Sequence, residues 1–507
     1  MNKTRIAKVL FLSVMISMIV LAIDSELGNT DGTDDNDINN FSSNDTFYYD
    51  IDGETITVDS FVRWPGWTEY NPSFGEAVLL KQCIDYKKTF PEEEVYMTCT
   101  SFHFSVVAAA CIDHNNPDFG LMKSLYDVTS DGGYVRISEL LFEAAKYGIH
   151  VIVIGQIDAS PVDQYGVMTP DIGFVDYFKS RQMEPCYDLE YIEKGAVVSD
   201  YMEFREAEWT SYDDDSARSA SDMMHLKSAS VSAYIDCKGQ VHKNSIWLSS
   251  TNLDGITSSG VNGNDGVQTG VIISDHYDLW RVLYNFTDLM KDYCSQEDVV
   301  IFRDMIIKKN TEQIDLILDG KEERIPTDKQ IVYLGSNHDE VFRLYFTPVG
   351  GYNNVWDDIY NPFCKNLRSF YNSSEELDLV WVTPKFKPNF EIGIEYLETI
   401  RCAYLRSTSS NNTLYLQLPG VDASFFDVLI EQGKVADISV NNYSTYWHAK
   451  DILLSYMDDG KQCVSVLNSL NIHAGSMNYQ VNSILEIHES EKTGFDFYYS
   501  FKNMIEQ

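Results

Sequence analysis

The feature that most restricts what this chain can fold into is a tripeptide that occurs twice with the same sequel. His225-Leu226-Lys227 is followed, 25 residues after its histidine, by Ser250-Thr251-Asn252. His448-Ala449-Lys450 is followed, 28 residues after its histidine, by Ser476-Met477-Asn478. Between the members of each pair lie an apolar run (VSAYID or ILLSYM), a turn at Gly239 or Gly460, and a second strand-like run. A hairpin returns its second end beside its first, so each Ser-x-Asn comes back to its own His-x-Lys. In extended backbone residues i and i+2 share a face, so His and Lys project together, as do Ser and Asn. One His-x-Lys is a weak signal. Two, with matching sequels at nearly matching distances, are a strong one.

The order upstream of each motif also repeats. Glu94 to Phe104 (EVYMTCTSFHF) reads as a strand, Ile137 to Tyr147 as a helix stopped by Gly148, and His150 to Gly155 (HVIVIG) as a strand. Later come a strand at Leu377 to Val382, a helix at Phe390 to Arg406 and a strand at Thr413 to Leu418. Strand, helix, strand is the signature of a covered, largely parallel sheet. The expected architecture is therefore α/β, two diverged copies of one unit fused in a single chain. The first half spans 47–295, a connecting segment 296–342 and the second half 343–507. A chain of 507 residues exceeds one ordinary domain, which agrees with two halves.

The N-terminus reads as an export segment. Lys3, Arg5 and Lys8 precede 15 uncharged residues, Val9 to Ile23, a length that suits a signal-peptide core better than a membrane span. Residues 1–23 are thus expected to be a signal peptide or, uncleaved, an N-terminal anchor, and the protein to be secreted or extracytoplasmic. Residues 24–46, rich in Asp, Asn, Ser and Thr, are expected to form a disordered acidic linker.

Composition excludes several classes. A hydrophobic content of 44% rules out a largely disordered chain. A net charge of −39 repels polyanions, so duplex nucleic acid is not an expected partner. Nine cysteines without a C-x-x-C pair argue against a zinc or redox cluster, and no metal or other cofactor is expected. Asp113-His114 has no matching serine nucleophile. The remaining histidines read as core or surface residues, Phe61 to Tyr70 as core plus a turn, and Asp213 to Asp215 as a solvated loop.

Each half offers an imidazole, an ammonium, a hydroxyl and an amide. Two such sets suit phosphodiester cleavage: one neutral imidazole attacks phosphorus, the other protonates the leaving oxygen, and the cations and amides hold the equatorial oxygens. The arrangement resembles the phospholipase D superfamily, whose signature is H-x-K-x4-D followed by G-S-x-N, twice in one chain. That resemblance implies a pseudo-twofold sandwich of two α/β halves with one site between them. It implies that His225, Lys227, His448 and Lys450 are catalytic, with His225 favoured as nucleophile. It also implies that Ser250, Asn252, Ser476 and Asn478 bind the substrate phosphate. The superfamily places a further carboxylate that orients a catalytic histidine; Glu486 matches it in the second half, whereas Gln268 stands there in the first.

Two departures stand out. The signature aspartate falls on Ser232 and Ser455, with Asp236 and Asp459 each 11 residues after their histidine as structural stand-ins. Gln268 brings no negative charge to stabilise an imidazolium, so unequal half-sites or reduced activity are expected. The leading functional reading is a metal-independent phosphodiesterase cleaving a phospholipid head group through a phosphohistidine, acting as a monomer and compatible with a membrane surface. A superfamily nuclease on short single strands is the second reading, and a non-catalytic surface-binding protein on the same fold the third.

Overall fold

The computed structural model describes residues 45–63, 72–102, 104, 137–156, 174–209, 224–253, 266–295, 297–336, 338–348, 365–367, 369–370, 373, 378–383, 413–416, 446–447, 449–469 and 480–505. The chain is mixed α/β and its strands form two sheets. The first holds β1 (Asp45–Ile51), β2 (Glu54–Arg63), β3 (Tyr96–Phe102), β4 (His150–Gln156), β5 (Met202–Glu206), β6 (Lys227–Ile235), β7 (Val241–Ser249) and β8 (Gly266–Ser274). Their order is β1-β2-β8-β7-β6-β3-β4-β5. The second sheet, ordered β11-β10-β13-β14-β15-β9, holds β9 (Phe342–Phe346), β10 (Asp378–Thr383), β11 (Thr413–Leu416), β13 (Asp451–Met457), β14 (Lys461–Asn468) and β15 (Ser483–Ser490). A two-residue strand, β12 (Tyr446–Trp447), leaves the second half of the chain to pair with β8 of the first sheet.

The expected strand pairs are present in both sheets. β3 runs parallel to β4, as β10 does to β11. The helix before β4, Ile137–Lys146, buries Ile137, Leu140, Leu141, Ala144 and Ala145, the spacing of one helical face. It ends where Gly148 takes a φ of 75°, a conformation that favours glycine. The helix expected at 390–406 lies outside the described residues. Both hairpins after the motifs form, β6 with β7 and β13 with β14, turning at Gly239 (φ 80°) and Gly460 (φ 105°).

Alternation along the strands gives the first sheet two apolar faces. Val151 and Val153 of β4 join a cluster with helices α1 (Pro72–Thr89), α2 (Ile137–Lys146) and α3 (Phe174–Arg181). Ile152 and Ile154 join the other cluster, which takes in α4 (Tyr277–Met290), α5 (Val299–Leu318), α6 (Asp496–Ile505) and the second sheet. Leu453, Val464 and Ile484 of that sheet therefore share a core with Ile246 and Leu248 of the first. Burial of this kind stabilises by about 25 cal/mol per Å² of apolar surface, and it brings the ends of β6 and β15 together. No helix among the described residues is long and apolar enough to cross a membrane.

Candidate active site

The first motif enters β6 under tight backbone control. Gln156, the last residue of β4, accepts from the Met224 amide at 2.8 Å and donates to the Trp209 carbonyl at 2.7 Å. The amide of Phe102 donates to the Leu226 carbonyl at 2.9 Å, and that of His225 to the Val481 carbonyl at 2.8 Å. His225 thus sits where the first sheet meets the chain leading into β15. It is 5% exposed.

The next residue along that chain holds the imidazole. Nδ1 of His225 lies 2.9 Å from Oδ1 of Asn482. Which end of the Asn482 amide faces the ring follows from its other neighbours. Thr347 Oγ1 donates to the Gln480 carbonyl at 2.8 Å, so its proton is committed. That oxygen can then only accept from Asn482, whose N and Nδ2 lie at 2.9 and 3.1 Å. On the other side Ser469 Oγ accepts from the Ser483 amide at 3.2 Å and donates to Asn482 Oδ1, also at 3.2 Å. Nδ2 therefore faces Thr347 and Oδ1 faces His225. Because Oδ1 is an acceptor, Nδ1 carries the proton and the lone pair of the neutral ring is on Nε2.

Lys227 is fully buried in the same wall. Its Nζ donates to the His225 carbonyl at 3.1 Å and stands 5.3 Å from the centre of the Phe102 ring. The same ring lies 5.0 Å from the imidazole of His225. Phe102 thus touches both side chains of the motif and shields them from water. A buried ammonium is costly to desolvate, and an anion bound beside it offsets that cost.

The return end of the hairpin is stapled to β8. Ser250 Oγ accepts from the Thr269 amide at 3.0 Å and donates to Oε1 of Gln268 at 3.0 Å. Thr251 Oγ1 donates to the same oxygen at 3.2 Å, and Ser249 Oγ to the Thr269 carbonyl at 2.9 Å. Ser250, expected to bind phosphate, is thus engaged in holding the loop, while Asn252 is buried two residues further on. In the second half Lys450 and Asp451 are buried at the start of β13. His448, Ser476 and Asn478 lie outside the described residues.

The strand register relates the two amides. Met224, just before His225, bridges Val481, just before Asn482. Trp447, just before His448 in sequence, pairs with Val267, just before Gln268, in the same parallel sense. Gln268 is therefore the register counterpart of Asn482, and both positions carry an amide. His448 lies outside the described residues; among those described, the carboxylate of Glu486, expected to orient a catalytic histidine, meets Tyr345 (2.5 Å), His488 (2.7 Å) and Arg343 (3.7 Å). Its burial raises the pKa, but the hydrogen bond and charge of His488 and the charge of Arg343 outweigh it and hold the carboxyl at about 2.

The departures from the signature have local explanations. Ser232 Oγ accepts from the Tyr96 amide at 3.0 Å, a backbone contact to β3 that needs an acceptor but no charge. Ser455 Oγ accepts from Cys463 at 3.5 Å. Asp236 caps the β6–β7 turn, its Oδ1 accepting from the Lys238 and Gln240 amides. Three other histidines are tied to carboxylates, His242 to Asp275, His276 to Asp339 and His488 to Glu486. Asn482, Phe102 and Gln156 carry no motif that marks them in the sequence. Asn482 sits four residues after Asn478, ahead of the position where the superfamily pattern has its carboxylate.

No family model matches the chain, and no curated protein does. Solved structures do resemble it loosely. A phosphatidylserine synthase from Haemophilus influenzae shares 11% identity at a TM-score of 0.45, over 92% of this chain and 89% of that one. A yeast tyrosyl-DNA phosphodiesterase shares 10% at 0.32, over 85% and 89%. A polyphosphate kinase from Porphyromonas gingivalis shares 11% at 0.37, over 84% of this chain; the chain spans only 47% of that kinase. These neighbours are members of the phospholipase D superfamily. Likenesses at this level bear no weight on the chemistry, which rests on the residues just described.

Proposed function

We propose that this chain is a phosphodiesterase in which His225 is the nucleophile. The observation that carries the reading is the hydrogen bond from His225 Nδ1 to Asn482 Oδ1, which puts the lone pair of the neutral ring on Nε2, while the buried Lys227 ammonium donates to the carbonyl of the same histidine. In the first step Nε2 attacks phosphorus, the bond to the leaving oxygen breaks, and His448 gives that oxygen its proton. In the second, His448 takes a proton from water, the water oxygen attacks phosphorus, and the P–N bond breaks. Lys227 and Lys450 offset the charge on the equatorial oxygens, with Asn252 and Asn478 donating to them. Asn482 and Gln268 both supply an amide where a charged acceptor is expected, and the half-sites differ in what that amide's oxygen faces, His225 in one and the hydroxyls of Ser250 and Thr251 in the other. A phospholipid head-group ester outside the cell is the substrate that the acidic surface and the export segment favour over polymeric phosphate.

The test is direct. The purified chain is incubated with phosphatidylcholine vesicles and, separately, with a single-stranded oligonucleotide, beside His225→Ala and His448→Ala. Release of choline by the parent chain, and a loss of about a thousandfold or more in both variants, is the expected result. Turnover of the oligonucleotide alone transfers the reading to a nuclease. Turnover of neither removes the catalytic reading in favour of a binding protein.

A further inference from the structure

The neighbours of Asn482 carry a consequence for His225 that the motif alone does not. A free neutral histidine prefers to keep its proton on Nε2, which would leave no lone pair there for attack. Something must hold the proton on the other nitrogen. In the superfamily pattern that is a carboxylate, whose negative charge also favours the doubly protonated ring. Here it is a neutral amide, and its orientation is set from both sides. Thr347 (its proton committed to the Gln480 carbonyl) fixes the donor end, and Ser469, which accepts from the Ser483 amide, donates to the oxygen end. All four of these residues and Asn482 itself are buried, so water does not compete for the contacts.

We infer that Asn482 is a positioning residue that locks His225 as the Nδ1–H tautomer, leaving Nε2 the attacking atom without placing a charge behind the ring. The word attacking rests on the phosphodiesterase reading above; the tautomer does not. An amide accepts the Nδ1 proton as a carboxylate does but adds no Coulomb attraction for an imidazolium. The lock is therefore one of direction, made by hydrogen bonds alone. Thr347 and Ser469 act through it: Thr347 removes the flipped orientation of the amide, and Ser469 adds a hydrogen bond to the oxygen in the orientation that remains.

The experiment reads the ring nitrogens. The full chain is labelled with ¹⁵N-histidine and its long-range proton–nitrogen correlations are recorded at about pH 8.5, about two units above the ordinary histidine value. His225→Gln assigns the signal. The parent chain is expected to show a protonated Nδ1 and an unprotonated Nε2. Asn482→Ala is expected to shift the population to the Nε2–H form, and Asn482→Asp, which restores an acceptor, to return it to Nδ1–H. A purely structural role for Asn482 would leave the tautomer of a folded Asn482→Ala chain unchanged, and that result overturns the inference. So does an Nε2–H ring in the parent chain, which needs no variant to fold. The Nδ1–H form in a chain that cleaves no phosphodiester would keep the lock and overturn the attacking role assigned to Nε2.

Discussion

Asn482 and Gln268 occupy the same register position in the two halves, and their neighbours use them in opposite senses. Asn482 turns its oxygen to the His225 imidazole because Thr347 can only accept from its other end, and Ser469 donates to the oxygen so placed. Gln268 turns its oxygen to the hydroxyls of Ser250 and Thr251, which need an acceptor to hold the end of the hairpin. Among the described residues, one amide oxygen meets a ring and the other meets the hydroxyls of a loop. A side chain's type therefore does not fix its role; the committed protons around it do. The buried carboxyls make the same point. Glu486 faces His488 and Arg343 and is ionised. Glu76, on α1, accepts from the thiol of Cys99, and burial pushes its pKa up to about 8.

The largest expected effects come from the carboxyl pair, and they have opposite signs. The pKa of Glu486 is depressed in the folded chain, so its contribution is present above the ordinary value of 4.5 and is lost as pH falls towards about 2. Glu486→Gln should cost about 3 kcal/mol at neutral pH, as breaking a buried pair does, with the penalty shrinking below pH 4.5. Glu76 is the reverse case. Its raised pKa makes its stability contribution complete below 4.5 and lost as pH rises through about 8. Glu76→Gln should therefore leave the stability unchanged at pH 4.5 and raise it increasingly towards alkaline pH. Urea unfolding at a series of pH values reads both, and two curves of the same sign would break the contrast.

A smaller effect separates the two amides. Asn482→Ala should lower kcat by about 10–100-fold with KM little changed, since it alters the ring that reacts and not the pocket. Gln268→Ala should act mainly on KM, by a few-fold, because it frees Ser250 and Thr251 and loosens the turn before Asn252. Steady-state kinetics on a chromogenic phosphodiester measure both. Equal losses in kcat would mean that the two amides do the same work.

Much of the frame was legible in the sequence. The strands at 96–102 and 150–156, the helix between them and both motif hairpins follow from periodicity and turn glycines, which are local signals. His225 and Lys227 were legible for the same reason, being two residues apart on extended backbone. The amide that holds His225 was not. Its orientation is set by Thr347, just beyond β9, and by Ser469, just beyond β14, and nothing local to Asn482 reports them. The surroundings of Glu486 were hidden for the same reason. Its partners Arg343 and Tyr345 lie on β9, whose pairing with β15 is a long-range contact that motif spacing does not encode. The passage of β12 into the first sheet, which equates Gln268 with Asn482, was likewise invisible until the register was known.

The most direct test of the account is to find the atom that takes the phosphoryl group. The His448→Ala chain, which lacks the base for the second step, is mixed with bis(p-nitrophenyl) phosphate, whose leaving group needs no acid. The reaction is quenched in alkali, where phosphohistidine survives, and the adduct is mapped by mass spectrometry. The account predicts one p-nitrophenyl phosphoryl group on His225, absent when His225→Ala is added. An adduct on any other residue, or none while the parent chain turns over, would contradict it.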